Sequence, residues 1–212
     1  MPRLYKWMLP GMLTPTQKKP WPVAVGEWTP NESPVLCESG WHGVTEKDVL
    51  THLPSQLGSQ LYVVEARGVI HGDDKFVASS MKLGQCIGTT DESNLRLFAC
   101  DVAEDVLHLF EERYPNDSRP RTAIDVGRRF VSGEATKDEL DAARAAARAA
   151  AWDAAGDAAW AAAEAAAWAA AGAAEWAEWA EWAAWATARD AAGAAAKARY
   201  SNWLVVRIES RY

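Results

Sequence analysis

The residues whose types could do chemistry are few and scattered. Four histidines occur, His42, His52, His71 and His108, with no H-E-x-x-H or similar ligand spacing. No Walker loop, G-x-G-x-x-G or G-x-S-x-G is present. Glu65 lies in an apolar run between Val64 and Ala66, and a strand glutamate facing a cleft near His42 could exchange protons with a substrate. The plainer reading is an outward-facing glutamate. Asp73-Asp74-Lys75 could hold a metal, but reads better as a turn carrying solvated charge. Arg119, Arg121, Arg128 and Arg129 form the one basic cluster. With a tryptophan wall (Trp41, Trp168 and Trp182 are the candidates) they could grip an anionic or nucleotide-like ligand by bidentate pairing and base stacking. The competing expectation is that these arginines pair with Asp101, Glu104 or Glu111. Trp41, His42, Glu65, Arg119, Arg121, Trp168 and Trp182 are therefore candidate ligand-binding residues. No catalytic set, metal site or cofactor is implied.

Two kinds of sequence must position these residues. Eight of the ten prolines precede residue 95. Leu4–Met8, Val23–Trp28, Gln60–Arg67 and Lys75–Ser79 read as short strands, rich in Tyr, Val, Trp and Phe and bounded by Pro, Gly and Asp. Thr45-Glu-Lys-Asp48 resembles a capping box and predicts a helix that Pro54 stops. His71-Gly-Asp-Asp74 reads as a turn between strands. From Leu95 the period changes to that of a helix, with apolar residues Leu95, Phe98, Val102, Val106 and Leu109. Helices are predicted over 95–114, over 122–131 and from Thr136, which has Glu139 three residues on as a full capping box. Tyr200, Trp203, Leu204 and Ile208 fit a final helix, although residues 205–208 could equally be a strand.

Between Ala142 and Arg199 the chain holds 35 alanines in 58 residues and seven of the 12 tryptophans. On an ideal wheel Asp153, Asp157, Glu164, Glu175 and Glu178 fall within about 60° of one another. Opposite them runs a seam of alanines that includes Ala151, Ala155, Ala158, Ala162 and Ala166. Trp152, Trp160, Trp168 and Trp176 are spaced by eight, so they spiral round the helix. A continuous helix of roughly 65 Å and a bundle of shorter antiparallel helices both satisfy the pattern. The expected architecture is α+β: a strand-rich domain over 1–94, then an Ala/Trp-rich antiparallel helical bundle over 95–212 with one or more long helices.

Composition narrows the function. A net charge of -7 disfavours nonspecific contact with nucleic acid or anionic membrane. Cys37, Cys86 and Cys100 make an odd count without C-x-x-C spacing, which suggests neither disulfides nor zinc. No membrane span and no secretory signal are expected, so a cytoplasmic setting fits, the host cytoplasm if the protein is viral. Alanine and tryptophan carry no catalytic group. The chain reads as a binding protein rather than an enzyme.

Two resemblances extend this reading. Leu36-Cys-Glu-Ser-Gly-Trp-His42, then Leu61–Gly68 and Asp73–Ala78, resembles an uncharacterised N-terminal domain of phage and prophage proteins, which brings no activity with it. Ala99–Leu107, then Arg119-Pro-Arg121, Ala123-Ile124 and the Ala-rich run, is similar to an immunity-protein family of bacterial polymorphic-toxin systems. That resemblance implies an all-helical, non-enzymatic neutraliser of a toxin. Together they suggest a phage-type accessory protein that neutralises a bacterial defence or toxin component by binding a protein effector or a nucleotide immune signal. The alternatives are a NAD- or nucleotide-processing enzyme using His42 and Glu65, a toxin-immunity protein proper, and a homo-oligomer assembled through the alanine seam.

Overall fold

The computed structural model describes residues 3–154, 165–167 and 192–209. The chain divides into two compact units, Met1–Asp91 with Thr187–Tyr212, and Glu92–Ala186. The first unit holds strands β1 (Leu4–Met8), β2 (Trp41–Thr45), β3 (Gln60–Arg67), β4 (Ile70–His71), β5 (Phe76–Ala78) and β6 (Ser80–Thr89). They form one antiparallel sheet in the order β4-β5-β2-β1-β3-β6. The fold is α+β, as the composition shift indicates.

Strand β1 sits inside the sheet and alternates apolar residues on both faces. Tyr5 and Trp7 point to one face, where Tyr5 pairs with Val44 and Val63 and Trp7 with Leu61. All are buried except Val63, which is half-buried. The cover comes from the segment after β2 and from a helix near the end of the chain, Ala192–Glu209. Trp7 Nε1 donates to the Val49 carbonyl at 3.0 Å. Ser201 Oγ donates to the Lys47 carbonyl at 2.9 Å and accepts from Leu50 N at 3.2 Å. Tyr200, Leu204 and Ile208 of that helix are buried, as i, i+4, i+8 spacing requires. The sequence pattern groups this helix with residues 95–212, but its contacts group it with the sheet. Gly88 on β6 permits the approach: a Cβ there would overlap Ile208 Cγ2 and lie 2.6 Å from the Ile208 carbonyl oxygen.

The opposite face packs Met8, Tyr62, Val64, Phe76, Ala78, Met81 and Leu83 with Trp21. Trp41 lies edge-on to Trp21, with ring centroids 5.1 Å apart. Lys6 points into this apolar side and is only 7% exposed. Its Nζ donates to the His42 carbonyl at 2.6 Å and lies 5.9 Å from the Trp21 ring centre. Burial pushes its pKa down to about 8.

Several expected elements differ. Val23–Trp28 is not a strand: Trp28 makes an isolated bridge to Lys82, and Gly26 N, Thr29 N and Glu32 N bond to carbonyls of Leu83, Met81 and Ser79. This segment runs along β6 and covers an otherwise open sheet edge. The predicted helix after Thr45 is a 3-10 turn over Glu46–Asp48. Thr45 closes β2 opposite Leu4, and its hydroxyl donates to the Asp48 carboxylate at 2.9 Å instead of accepting a helix N–H. Strands β2, β4 and β6 carry Gly, His and polar residues at inward or edge positions, so they lack the apolar run that marks β3.

The second unit contains α1 (Glu92–Glu111), α2 (Arg119–Val131) and α3 (Lys137–Asp153). We name the C-terminal helix of the first unit α4 (Ala192–Glu209). The helix α2 starts three residues before the expected Thr122, because Pro120 is suited to a first turn whose N–H has no intrahelical partner. The capping box at α3 forms as expected: Glu139 N donates to Thr136 Oγ1 at 3.2 Å, and Thr136 N donates to Glu139 Oε2 at 2.7 Å. That helix stops at Asp153 with Ala154 as its cap, so no single helix runs from 138 to 199. Of the alanine seam, Ala151 and Ala166 are buried; its other named members fall outside the described residues.

Two outcomes are expected. Gly88→Ala should separate α4 from β6, raising hydrogen exchange at both while α1–α3 keep their protection; its cost should exceed the roughly 1 kcal/mol typical of a point substitution. Lys6→Met should stabilise the protein by up to about 3 kcal/mol near neutral pH, since the folded state bears the cost of a buried ammonium. The folded pKa lies below the unfolded one. Wild-type stability should therefore rise between about pH 8 and pH 10.5, and the variant's advantage should vanish over that window in denaturant titrations.

Candidate binding surface

The helical unit is built from three amphipathic stripes. Leu95, Phe98, Ala99, Val102, Leu107 and Phe110 line α1, Ala123, Ile124, Val126 and Gly127 line α2, and Leu140, Ala143, Ala147, Ala150 and Ala151 line α3. The helix α2 packs against both α1 and α3. Phe110 packs on Ala150, Ala151 and Ala154, and the Tyr114 hydroxyl donates to the Ala154 carbonyl at 3.4 Å.

Packing these stripes together turns a charged ladder outward. Arg128 donates to Asp101 at 3.2 Å and also to Glu104. Arg121 grips Glu111 with two bonds, at 2.6 and 2.8 Å. Arg119 donates to both Asp117 oxygens and, at 2.8 Å, to Asp153. Residues 101, 104, 108 and 111 lie on one face of α1, and 121, 125 and 128 on one face of α2, so the pairs repeat along the two helices. The bonds hold the carboxyls of Glu104, Glu111 and Asp117 below their usual range and raise the guanidinium pKa of Arg119, Arg121 and Arg128. Acidic groups dominate the face: Glu104, Asp105, Glu111, Glu112 and Asp125 accompany Arg121 and Arg128.

The structure settles where most candidate residues stand. Arg119 and Arg121 belong to this ladder. Trp41, His42 and Glu65 belong to the sheet unit. Trp41 is half-buried, and its Nε1 donates to the Pro30 carbonyl at 3.0 Å. His42 Nε2 accepts from Cys37 N at 3.0 Å. Burial first, then the charges of Lys6 and Lys75, lowers the His42 pKa, which favours the neutral ring. Glu65 is exposed and pairs with Lys82 across β3 and β6. It is not brought to His42. Strand β1 separates β2 from β3, and the registers set the two residues four positions apart along the strands, roughly 13 Å in that direction alone. Trp168 and Trp182 lie outside the described residues. Asp74 meets His52 at 3.1 Å, and among the described residues no group of three or more His, Cys, Asp or Glu could hold a metal. No described helix is long and apolar enough to cross a membrane. The residue that sequence reasoning passed over is Trp152, 77% exposed on α3; its place in the tryptophan spiral gave no sign that it would be left open.

Removing one rung has a modest expected cost, because the ladder is partly exposed. Arg128→Ala should destabilise the protein by about 1 kcal/mol, and a double-mutant cycle with Glu104→Gln should recover a coupling of similar size in denaturant unfolding.

Comparison with known proteins adds one finding. No curated protein and no solved structure matches the chain. Residues 85–200 match the family described as Imm-5 like putative immunity protein, a span that takes in all three helices of the ladder unit. Because that span covers more than half of the 212 residues, the chain belongs to the Imm-5 like putative immunity protein family.

Proposed function

We propose that the protein neutralises a toxin protein by stoichiometric binding through its helical unit. The family match over residues 85–200 carries this reading. The ladder supports a protein partner over a nucleotide. Arg119, Arg121 and Arg128 already hold carboxylates, so a phosphate would have to displace bonded partners before it could bind. An acidic face on a chain of net charge -7 suits a basic partner surface, and charge of this kind speeds encounter more than it adds affinity. The narrower form of the proposal places the protein as a phage-type accessory that acts against a bacterial defence or toxin component.

The test is a titration of the toxin against which the protein protects cells. Inhibition should be complete at a fixed stoichiometric ratio, with the same complex seen by native mass spectrometry. Glu104→Lys with Glu111→Lys should slow association at least tenfold, and added salt should narrow that difference. Turnover of NAD or a nucleotide by the purified chain would overturn the proposal and favour an enzyme instead.

A further inference from the structure

Side chains alternate along β1, so Lys6 lies with Met8 on the face opposite Tyr5 and Trp7. Its cover comes from the chain just after β1. Leu13 bridges to both Leu9 and Pro20, and Trp21 N donates to the Met12 carbonyl at 2.8 Å. This fold-back lays the Trp21 indole against the sheet, with its ring centre 5.9 Å from Lys6 Nζ. Half-buried Met12, Val23 and Trp41 pack against that core from outside.

The two polar side-chain groups buried there can only donate. Lys6 and Trp21 are each more than nine-tenths buried. An ammonium has three N–H groups and an indole one, and neither can accept. One Lys6 N–H goes to the His42 carbonyl at 2.6 Å, and among the described residues no carboxylate pairs with the ammonium. The Trp21 Nε1–H is buried without an acceptor. The titratable neighbours add no negative charge. His42 on β2 has a lowered pKa that favours its neutral ring, and Lys75, just before β5, brings positive charge. A buried charge without a counter-charge is costly, and so is a buried donor without an acceptor. One kind of group relieves both costs: an acceptor with a single negative charge. A carboxylate that accepts from two donors at about 2.8 Å each bridges nitrogens roughly 4–8 Å apart, which suits an ammonium 5.9 Å from the indole centre. A phosphate would bring more charge than one ammonium balances into an apolar surround.

We propose that the Lys6 ammonium and the Trp21 indole N–H form a binding site for a small free monocarboxylate, beneath Met12 and Trp41 in the sheet unit. Lys6 keeps its bond to the His42 carbonyl and turns a second N–H to the ligand. The site lies in a different unit from the helical ladder and does not rest on the toxin-binding reading. Occupancy neutralises the buried charge, so the ligand stabilises the folded chain in proportion to its concentration.

Titration of the full chain with sodium acetate at constant ionic strength tests this, read by the NMR signal of the Trp21 indole N–H and by the denaturant midpoint. The indole proton should shift downfield and saturate at millimolar acetate, and the midpoint should rise. Acetamide, the neutral analogue, should do neither. Lys6→Met, which removes the ammonium and fills the same apolar space, should abolish the midpoint rise and the indole shift. Trp21→Phe should weaken the midpoint response at least threefold. Affinity should fall about tenfold per unit above about pH 8, because the ligand needs the protonated amine. A response that never saturates, that acetamide matches or that survives Lys6→Met overturns the proposal. So does an affinity that stays flat from pH 7 to pH 10, or a response to an acidic peptide but not to acetate.

Discussion

A sheet buried on both faces has to be covered twice, and most of this protein's organisation follows from how that is done. Trp7 and Tyr5 point one way from β1, and Lys6 and Met8 the other. The segment that follows β1 folds back over the second face and supplies Trp21 and Met12. The short turn after β2 covers part of the first face. Its remaining cover is α4, about 200 residues later, tied down by Ser201 and seated against the glycine at position 88. The helical unit is therefore an insertion between β6 and α4, flanked on both sides by pieces of one fold.

Charge is treated differently in the two units. In the sheet unit a lysine is held among apolar side chains with a carbonyl as its hydrogen-bond acceptor, so the fold carries a cost that titrates near pH 8. In the helical unit guanidiniums and carboxylates are matched at the surface, where each pair adds little stability but fixes where charge is presented. A recognition surface needs placed charge more than it needs strong pairs.

The sequence was most readable where a single period governed a segment. Strands β1 and β3 appear with the expected bounds, because both are rich in Leu, Val, Tyr or Trp over a short stretch, and Thr136 with Glu139 marked the start of α3. The arginine cluster carried its own answer, since Asp101, Glu104 and Glu111 lie at helical spacing on α1 and wait on the side to which α2 packs. What could not be read depends on contacts distant in sequence. Strand β6 is held by pairing with β3 despite Gly84 and Gly88. Thr45 was taken from helix capping by its pairing with Leu4. The place of α4 on the sheet follows from Gly88 and Ser201, which show nothing on their own. The outward-facing reading of Glu65 was open to the sequence, but its partner Lys82 across on β6 was not.

The wide separation of α4 from the strands it covers has a consequence for biosynthesis. The strands leave the ribosome first, yet one apolar face stays partly open until α4, which lies beyond the whole helical unit in sequence, has been made. The helices between them rely on nearer contacts and can form in the interval. The nascent sheet thus waits with an open surface that chaperones would recognise, and a chain cut short before α4 would leave the face carrying Tyr5 and Trp7 partly uncovered.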